Sequence, residues 1–298
     1  MTSRAETSGH AARVAGWRAL FGKRWLVLAR QTLAEAARDR VTSGAASLAF
    51  HWFLAIFPAT IFLVSLSHLV GLRGNQLAIV VHDVNVVLPT QAATVIDQAL
   101  RAPVSSRADT IGLVVGALVA IWGGVEAMAA LQIGLDVAFE VSHDRGFLGR
   151  RLMALPLLAF TILLGGSGFT LVVLGAPVGK LIAGSAPIAG AEFAVLWHWF
   201  RWVAALFLVM LLLSTYYAFG PAWQRVRWRW ASAGSVLATL IWLGASFGFS
   251  FYLDHFGHES STYGPFAGVA VLMLWLLVAA VIVLLGAELD CELARSSP

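Results

Sequence analysis

From Phe266 to Ala287 the chain reads FAGVAVLMLWLLVAAVIVLLGA, 22 positions without one charged side chain. Wound as a helix at about 1.5 Å per residue, such a run crosses a hydrocarbon core of about 30 Å. Tyr263-Gly264-Pro265 opens it, with the proline near the helix start where a missing N–H costs little. Gly286-Ala287-Glu288-Leu289-Asp290 is expected to close it, since carboxylates return there. A chain holding this segment folds in a bilayer.

The rest of the sequence agrees. Only 12% of the 298 residues are charged and 59% are hydrophobic, against about 25% charged in soluble domains. Mean hydropathy is +0.80. The single cysteine, Cys291, excludes an internal disulfide and a thiolate metal cluster. No cleavable signal peptide is evident, because the first 40 residues are polar and basic, so the first span is expected to act as an uncleaved anchor.

In chain order, residues 1–40 form a basic tail in which Val14, Trp17, Phe21, Trp25 and Leu28 recur at helical spacing. That pattern suits a helix lying on the membrane surface. Six spans are expected, over residues 44–70, 110–135, 152–175, 194–219, 231–253 and 265–287, forming one membrane domain over 41–292. Pro58 lies near the middle of the first and is a candidate hinge or static kink. Residues 71–108 predict two short amphipathic helices broken at Pro89, equally suited to a dimer contact. Gly112-x-x-x-Gly116 and Gly244-x-x-x-Gly248 have the spacing of tight helix packing. Gly165-Gly166-Ser167-Gly168 is a weak point in the third span.

With the N-terminus inside, fifteen Lys/Arg fall on inner segments, Arg145, Arg150 and Arg151 among them in the short loop after the second span, and four on outer ones, Arg201 being within a span. That bias predicts both termini on the cytoplasmic side.

Four stretches carry a resemblance to a known family: AASLAFHWFLAIFPA in the first span, GLDVAFE after the second, FGPAWQRVRWRWASAGS between the fourth and fifth, and FGHESSTYGPFAGVAVLMLW…LLGAELD at the end. In order and spacing the chain resembles the YihY/BrkB family of bacterial inner-membrane proteins over about residues 39 to 292. The resemblance implies a six-helix integral protein without an agreed substrate. Family members have also been labelled ribonuclease BN or linked to virulence. The chain departs from the family pattern at His51-Trp52 and Glu259, where tyrosine is usual, and at Asp136 and Asp290, where asparagine is usual.

The candidate chemistry is sparse. Glu126 lies roughly 15 Å inside the second span, where a carboxylate needs a proton, a partner or water. His51, from the same side, is the expected partner, and the pair reads either as a proton or cation site or as a polar anchor between helices. Arg201 sits a turn or two inside the fourth span and either snorkels outward or meets an anionic group. Tyr263, Gly264 and Pro265 form a helix-start device or a gate. Arg225, Arg227 and Arg229, interleaved with tryptophans, read as a basic inner loop that meets anionic headgroups rather than nucleic acid. An ion-pair cluster with Glu288 is expected there. No His-Glu-x-x-His, paired Cys/His set or phosphate-binding glycine loop occurs, so neither an enzyme nor a metal or other cofactor is expected. The readings are then a transporter or flippase-like exporter of a lipid or other amphiphile, a structural protein that organises the envelope, and, weakest, the nuclease of the family label.

Overall fold

The computed structural model describes residues 30–32, 34–69, 106–142, 145–173, 175, 179, 190–222, 230–256 and 264–296. The basic surface helix of the tail, the helical pair expected over 71–108, and Arg225, Arg227, Arg229, Glu259 and Tyr263 lie outside them. Among the described residues the protein is all-helical. Six segments are long and apolar enough to cross a membrane.

Helix α1 spans Val41–Leu69 and α2 Ser106–Ala138. The third span has three parts: α3, Gly146–Phe160, a π-helical turn over Thr161–Gly165, and α4, Gly166–Val173. Helix α5 is Gly190–Phe219, α6 is Ala233–Phe256 and α7 is Gly264–Ser296. Each span packs on its sequence neighbour, and α7 returns to α1, closing a ring in chain order. Helix α7 also touches α2 and α5.

Among the described residues, the buried side chains gather at one end of this ring. There α1 begins with Ala45, Leu48 and Ala49 buried, α2 finishes with Leu131, Leu135 and Phe139 buried, and α7 finishes with Ala280, Leu284 and Ala287 buried. Helix α5 is buried continuously from Leu212 to Ala218, yet Val195, Leu196, Trp199 and Phe200 near its start are exposed. We call the two ends the packed end and the far end. The exposed side chains are large and apolar, as a hydrocarbon solvent requires.

Three sequence expectations are corrected. Helix α7 does not close at Gly286–Asp290 but continues to Ser296. Its carboxylates belong to the helix because Glu288 and Asp290 are buried against neighbours rather than released to water. Arg150 and Arg151, expected in a loop, lie in α3. Gly244 and Gly248 face open space, with nothing within 4 Å of a Cβ built on either. The close glycine contact is elsewhere: a Cβ on Gly234 would lie 2.0 Å from the Gly286 carbonyl oxygen. Glycine therefore lets α6 and α7 touch backbone to backbone.

The glycine-rich weak point of the third span is where the π turn ends and α4 begins. Pro58 lies inside α1, whose helix runs on to Leu69. Pro265 falls in the first turn of α7, the place a proline tolerates best.

Candidate functional site

Described parts of the four sequence stretches named above, residues 45–49, 134–140, 219–222 with 231–235, and 284–290, meet at the packed end, and backbone groups explain why. Helix α6 starts with a reciprocal cap: the Ser235 N–H donates to Ser232 Oγ at 3.1 Å and the Ser232 N–H to Ser235 Oγ at 3.0 Å. Asp290 of α7 adds a carboxylate oxygen that accepts the Gly234 N–H at 2.7 Å, favourable at a helix N-terminus. Tyr217 of α5 donates its hydroxyl to the Val283 carbonyl at 2.8 Å.

Helix α2 ends in a left-handed residue, Glu140, at φ 48°. The Val141 N–H reaches the Asp136 carbonyl and the Glu140 N–H that of Val137. That is the usual double closure of a helix C-terminus, made here without glycine. Asp136 Oδ1 accepts the Ala222 N–H at 2.7 Å. Asp136 and Asp290 each use one oxygen as a backbone acceptor, a role an asparagine fills equally well. The two Asn-to-Asp departures are thereby accounted for.

Arg145 was read only as a loop charge, yet it is the hub of this end. Its guanidinium donates to the carbonyls of Gly220 at 2.6 Å and Pro221 at 2.5 Å, and to Gln132 Oε1 at 3.1 Å. Carbonyls past the end of a helix lack intrahelical partners, and a planar five-donor cation suits several at once. Burial pushes its pKa down, while Asp136 pulls it the other way. The FGPA stretch, four residues with no side-chain chemistry of their own, was the missed signal.

Glu126 does not meet His51. Its Oε1 accepts from Arg151 Nη2 at 2.6 Å and Nε at 3.0 Å. His51 Nδ1 instead lies 2.7 Å from the Ser47 carbonyl one turn back. The reason is register. Gln132 Nε2 bonds the Arg150 carbonyl at 3.0 Å, which sets Gln132 level with the start of α3. Glu126 is six residues, or roughly 9 Å, further along, a distance the long stem of Arg151 covers. Phe147 stacks on that guanidinium, 3.6 Å from ring centroid to Cζ. Both partners are about a quarter exposed, so the pair is a pin between α2 and α3 at the lipid-facing edge.

Glu288 is 1% exposed. The arginines expected beside it lie outside the described residues, and among the described residues its Oε1 has no hydrogen-bond partner. Nearby, Arg295 bridges Glu140 and Glu292. Before α1, burial raises the carboxyl pKa of Asp39, Glu140 raises it further, and Arg295 and Arg38 lower it. No group of three or more His, Cys, Asp or Glu suited to a metal occurs among the described residues.

The far end carries a different arrangement. An apolar groove of about 920 Å³ runs along the third span, lined by Ile162, Leu163, Gly166, Ser167, Leu171 and Trp197 among others. It starts at the π turn, where Ile162 and Leu163 are exposed, and ends at Gly175. The Trp197 indole N–H donates to the Gly175 carbonyl at 2.5 Å. One turn further along α5, the Arg201 stem packs over Gly175. The Arg201 guanidinium has a long contact to the Val172 carbonyl at 3.3 Å and another to His198 Nδ1 at 3.5 Å. Its Nε is buried without a hydrogen-bond partner. Glu126, His51 and Arg201 thus do not form one site: the first two lie towards the packed end, on separate partners, and Arg201 stands beside the groove.

Residues 32–298 match a family model described as "Virulence factor BrkB". The chain is 28% identical over 258 residues to the "Putative ribonuclease-like protein YfkH" of Bacillus subtilis, covering 85% of this chain and 90% of that protein. It is 27% identical over 287 residues to a "UPF0761 membrane protein" of Chromohalobacter salexigens, covering 93% of this chain and 66% of that protein. A "UPF0761 membrane protein" of Methylibium petroleiphilum is 28% identical over 266 residues, 88% of this chain and 61% of the relative. The chain thus spans under two thirds of these last two relatives. No solved structure matches.

Proposed function

This chain belongs to the virulence factor BrkB family of membrane proteins, and we propose that it moves a lipid or other amphiphile across the bilayer. The observation that carries the reading is the groove at the break in the third span. It is mainly apolar, open towards the lipid-facing side, and ends at Gly175, over which the Arg201 stem packs. Pockets for amphiphiles combine mainly apolar walls with few placed polar groups. The π turn adds a second element. Such turns are irregular insertions in a helix and concentrate at functional sites, and this one forms part of the groove's wall.

The polarised packing fits movement of this kind. Capped helix ends and partly exposed ion pairs tie the helices at the packed end, while towards the far end the third span offers an accessible groove. In our reading the packed end is cytoplasmic in a bacterial inner membrane, with both termini on that side. The support is the sequence's excess of Lys/Arg on those segments. We rank the nuclease label borne by the Bacillus relative below transport, because two-metal hydrolysis needs clustered ligands and no group of three or more His, Cys, Asp or Glu suited to a metal occurs among the described residues.

The test is reconstitution of the purified chain into vesicles holding a headgroup-labelled phospholipid in both leaflets. Quenching of the outer label by a membrane-impermeant reductant then reports exchange. The account expects loss of more than half the signal in protein-containing vesicles. A plateau at half, as in protein-free vesicles, would overturn it.

A further inference from the structure

Arg201 raises a question of charge. It sits six residues inside the apolar segment Val195–Phe219, roughly 9 Å from its start. A cation at that depth is costly and is normally paired or directed to water. Here no ion pair to Arg201 occurs among the described residues. Its contacts are the long ones to Val172 and His198, and the Trp202 ring at 5.9 Å. A guanidinium has five donors in a planar fork, matched to phosphate or carboxylate oxygens, and Nε is one of them.

The guanidinium's position adds the second half of the argument. Its stem packs over Gly175, which lines the groove, and Trp197, one turn back on the same helix, forms the wall. The Arg201 stem and the apolar trough therefore meet at Gly175, with the guanidinium next to the Val172 carbonyl three residues before it. We propose that Arg201 and this groove bind one anionic phospholipid drawn from the surrounding leaflet, its phosphate on the Arg201 guanidinium and an acyl chain along Leu171, Gly166 and Ile162. The inference deepens the transport reading by naming the substrate class of the same site. A zwitterionic lipid also offers a phosphate, but it brings a cation next to the arginine. The site consequently selects for net negative charge.

Glycine 166 supplies the matching control on the apolar half. It lines the groove, and a Cβ built there meets nothing within 4 Å, so Gly166→Leu fills the trough without a clash. The experiment is native mass spectrometry of the full chain in non-ionic detergent, titrated with phosphatidylglycerol or with phosphatidylcholine of identical chains. Thermal unfolding of each variant checks folding. Wild type is expected to retain phosphatidylglycerol with roughly tenfold preference, the scale of one charge-assisted contact. Arg201→Gln abolishes the preference, Arg201→Lys keeps a reduced one, and Gly166→Leu lowers retention of both lipids. A folded Arg201→Gln that keeps the preference, or a Gly166→Leu that binds both lipids as wild type does, overturns the site. Arg201-dependent binding without exchange in vesicles would leave this site standing and remove the transport reading. Exchange without Arg201 dependence would do the reverse.

Discussion

At the scale of single residues, several ionisable groups, Glu126, Asp136, Arg145, Arg151 and Arg295 among them, are tied to neighbours on the same helix or on an adjacent segment. Glu126 and Arg151 show what this means energetically. Removing one partner leaves the other charged at the edge of the apolar region, which costs more than the pair contributes. Glu126→Gln is expected to destabilise by about 2 kcal/mol, less than a fully buried pair because both groups keep a quarter of their exposure. The double variant Glu126→Gln with Arg151→Gln should recover most of that loss in denaturant unfolding. Additive losses would mean that the two side chains do not interact.

Asp39 makes a pH prediction. Its carboxyl is raised by burial and then by Glu140, with Arg295 and Arg38 opposing; Glu288 lies within the same field. A carboxyl raised in the folded state binds its proton more tightly there than when unfolded. It therefore favours the fold at acid pH, and that contribution is lost as pH climbs from about 4 through the raised value. Asp39→Asn should be more stable than wild type at neutral pH, with the gap closing towards pH 4. A gap that widens on acidification would reverse the assignment.

At the scale of elements, glycine position decides how helices meet. Spacing alone pointed to Gly244 and Gly248, which face open space, and passed over Gly234 and Gly286, 52 positions apart in sequence, which touch. A packing glycine is identified by its partner, and the partner is set by tertiary register. Gly234→Ala is expected to cost several kcal/mol or abolish folding, since the new methyl meets backbone, whereas Gly244→Ala should be neutral or gain up to about 1 kcal/mol. Comparable unfolding of the two variants would contradict the α6–α7 contact.

The same limit explains what else was legible. Apolar runs of the right length gave six spans, since hydropathy is summed locally. Helix ends were misplaced where they depended on distant groups. Helix α7 continues past Gly286 because Asp290 caps α6, and α2 stops at Glu140 because Arg295 and backbone closure hold a left-handed residue there. Arg201 was identified as a singular charge, but its groove could not be, because the wall comes from a π turn and a tryptophan on another helix. Glu126 falls inside the apolar segment Val114–Ala138, and its partner Arg151 is not legible from the sequence because the sequence puts Arg151 in a loop.

At the scale of the whole molecule, the buried side chains of the described residues gather at one end of the ring, and the apolar groove lies along the third span towards the other. This asymmetry gives the groove a rigid base and an opening on the lipid side. A protein that only braced a membrane would have no need of an apolar trough that ends next to an arginine. The most direct measurement compares Gly166→Leu with Gly244→Leu in the vesicle exchange assay. Both sites have open space for a leucine, and only the first lies in the groove. The account predicts that Gly166→Leu slows lipid exchange at least roughly tenfold, equivalent to about 1.4 kcal/mol, while Gly244→Leu matches wild type. Equal rates in the two variants would contradict passage of lipid along the third span.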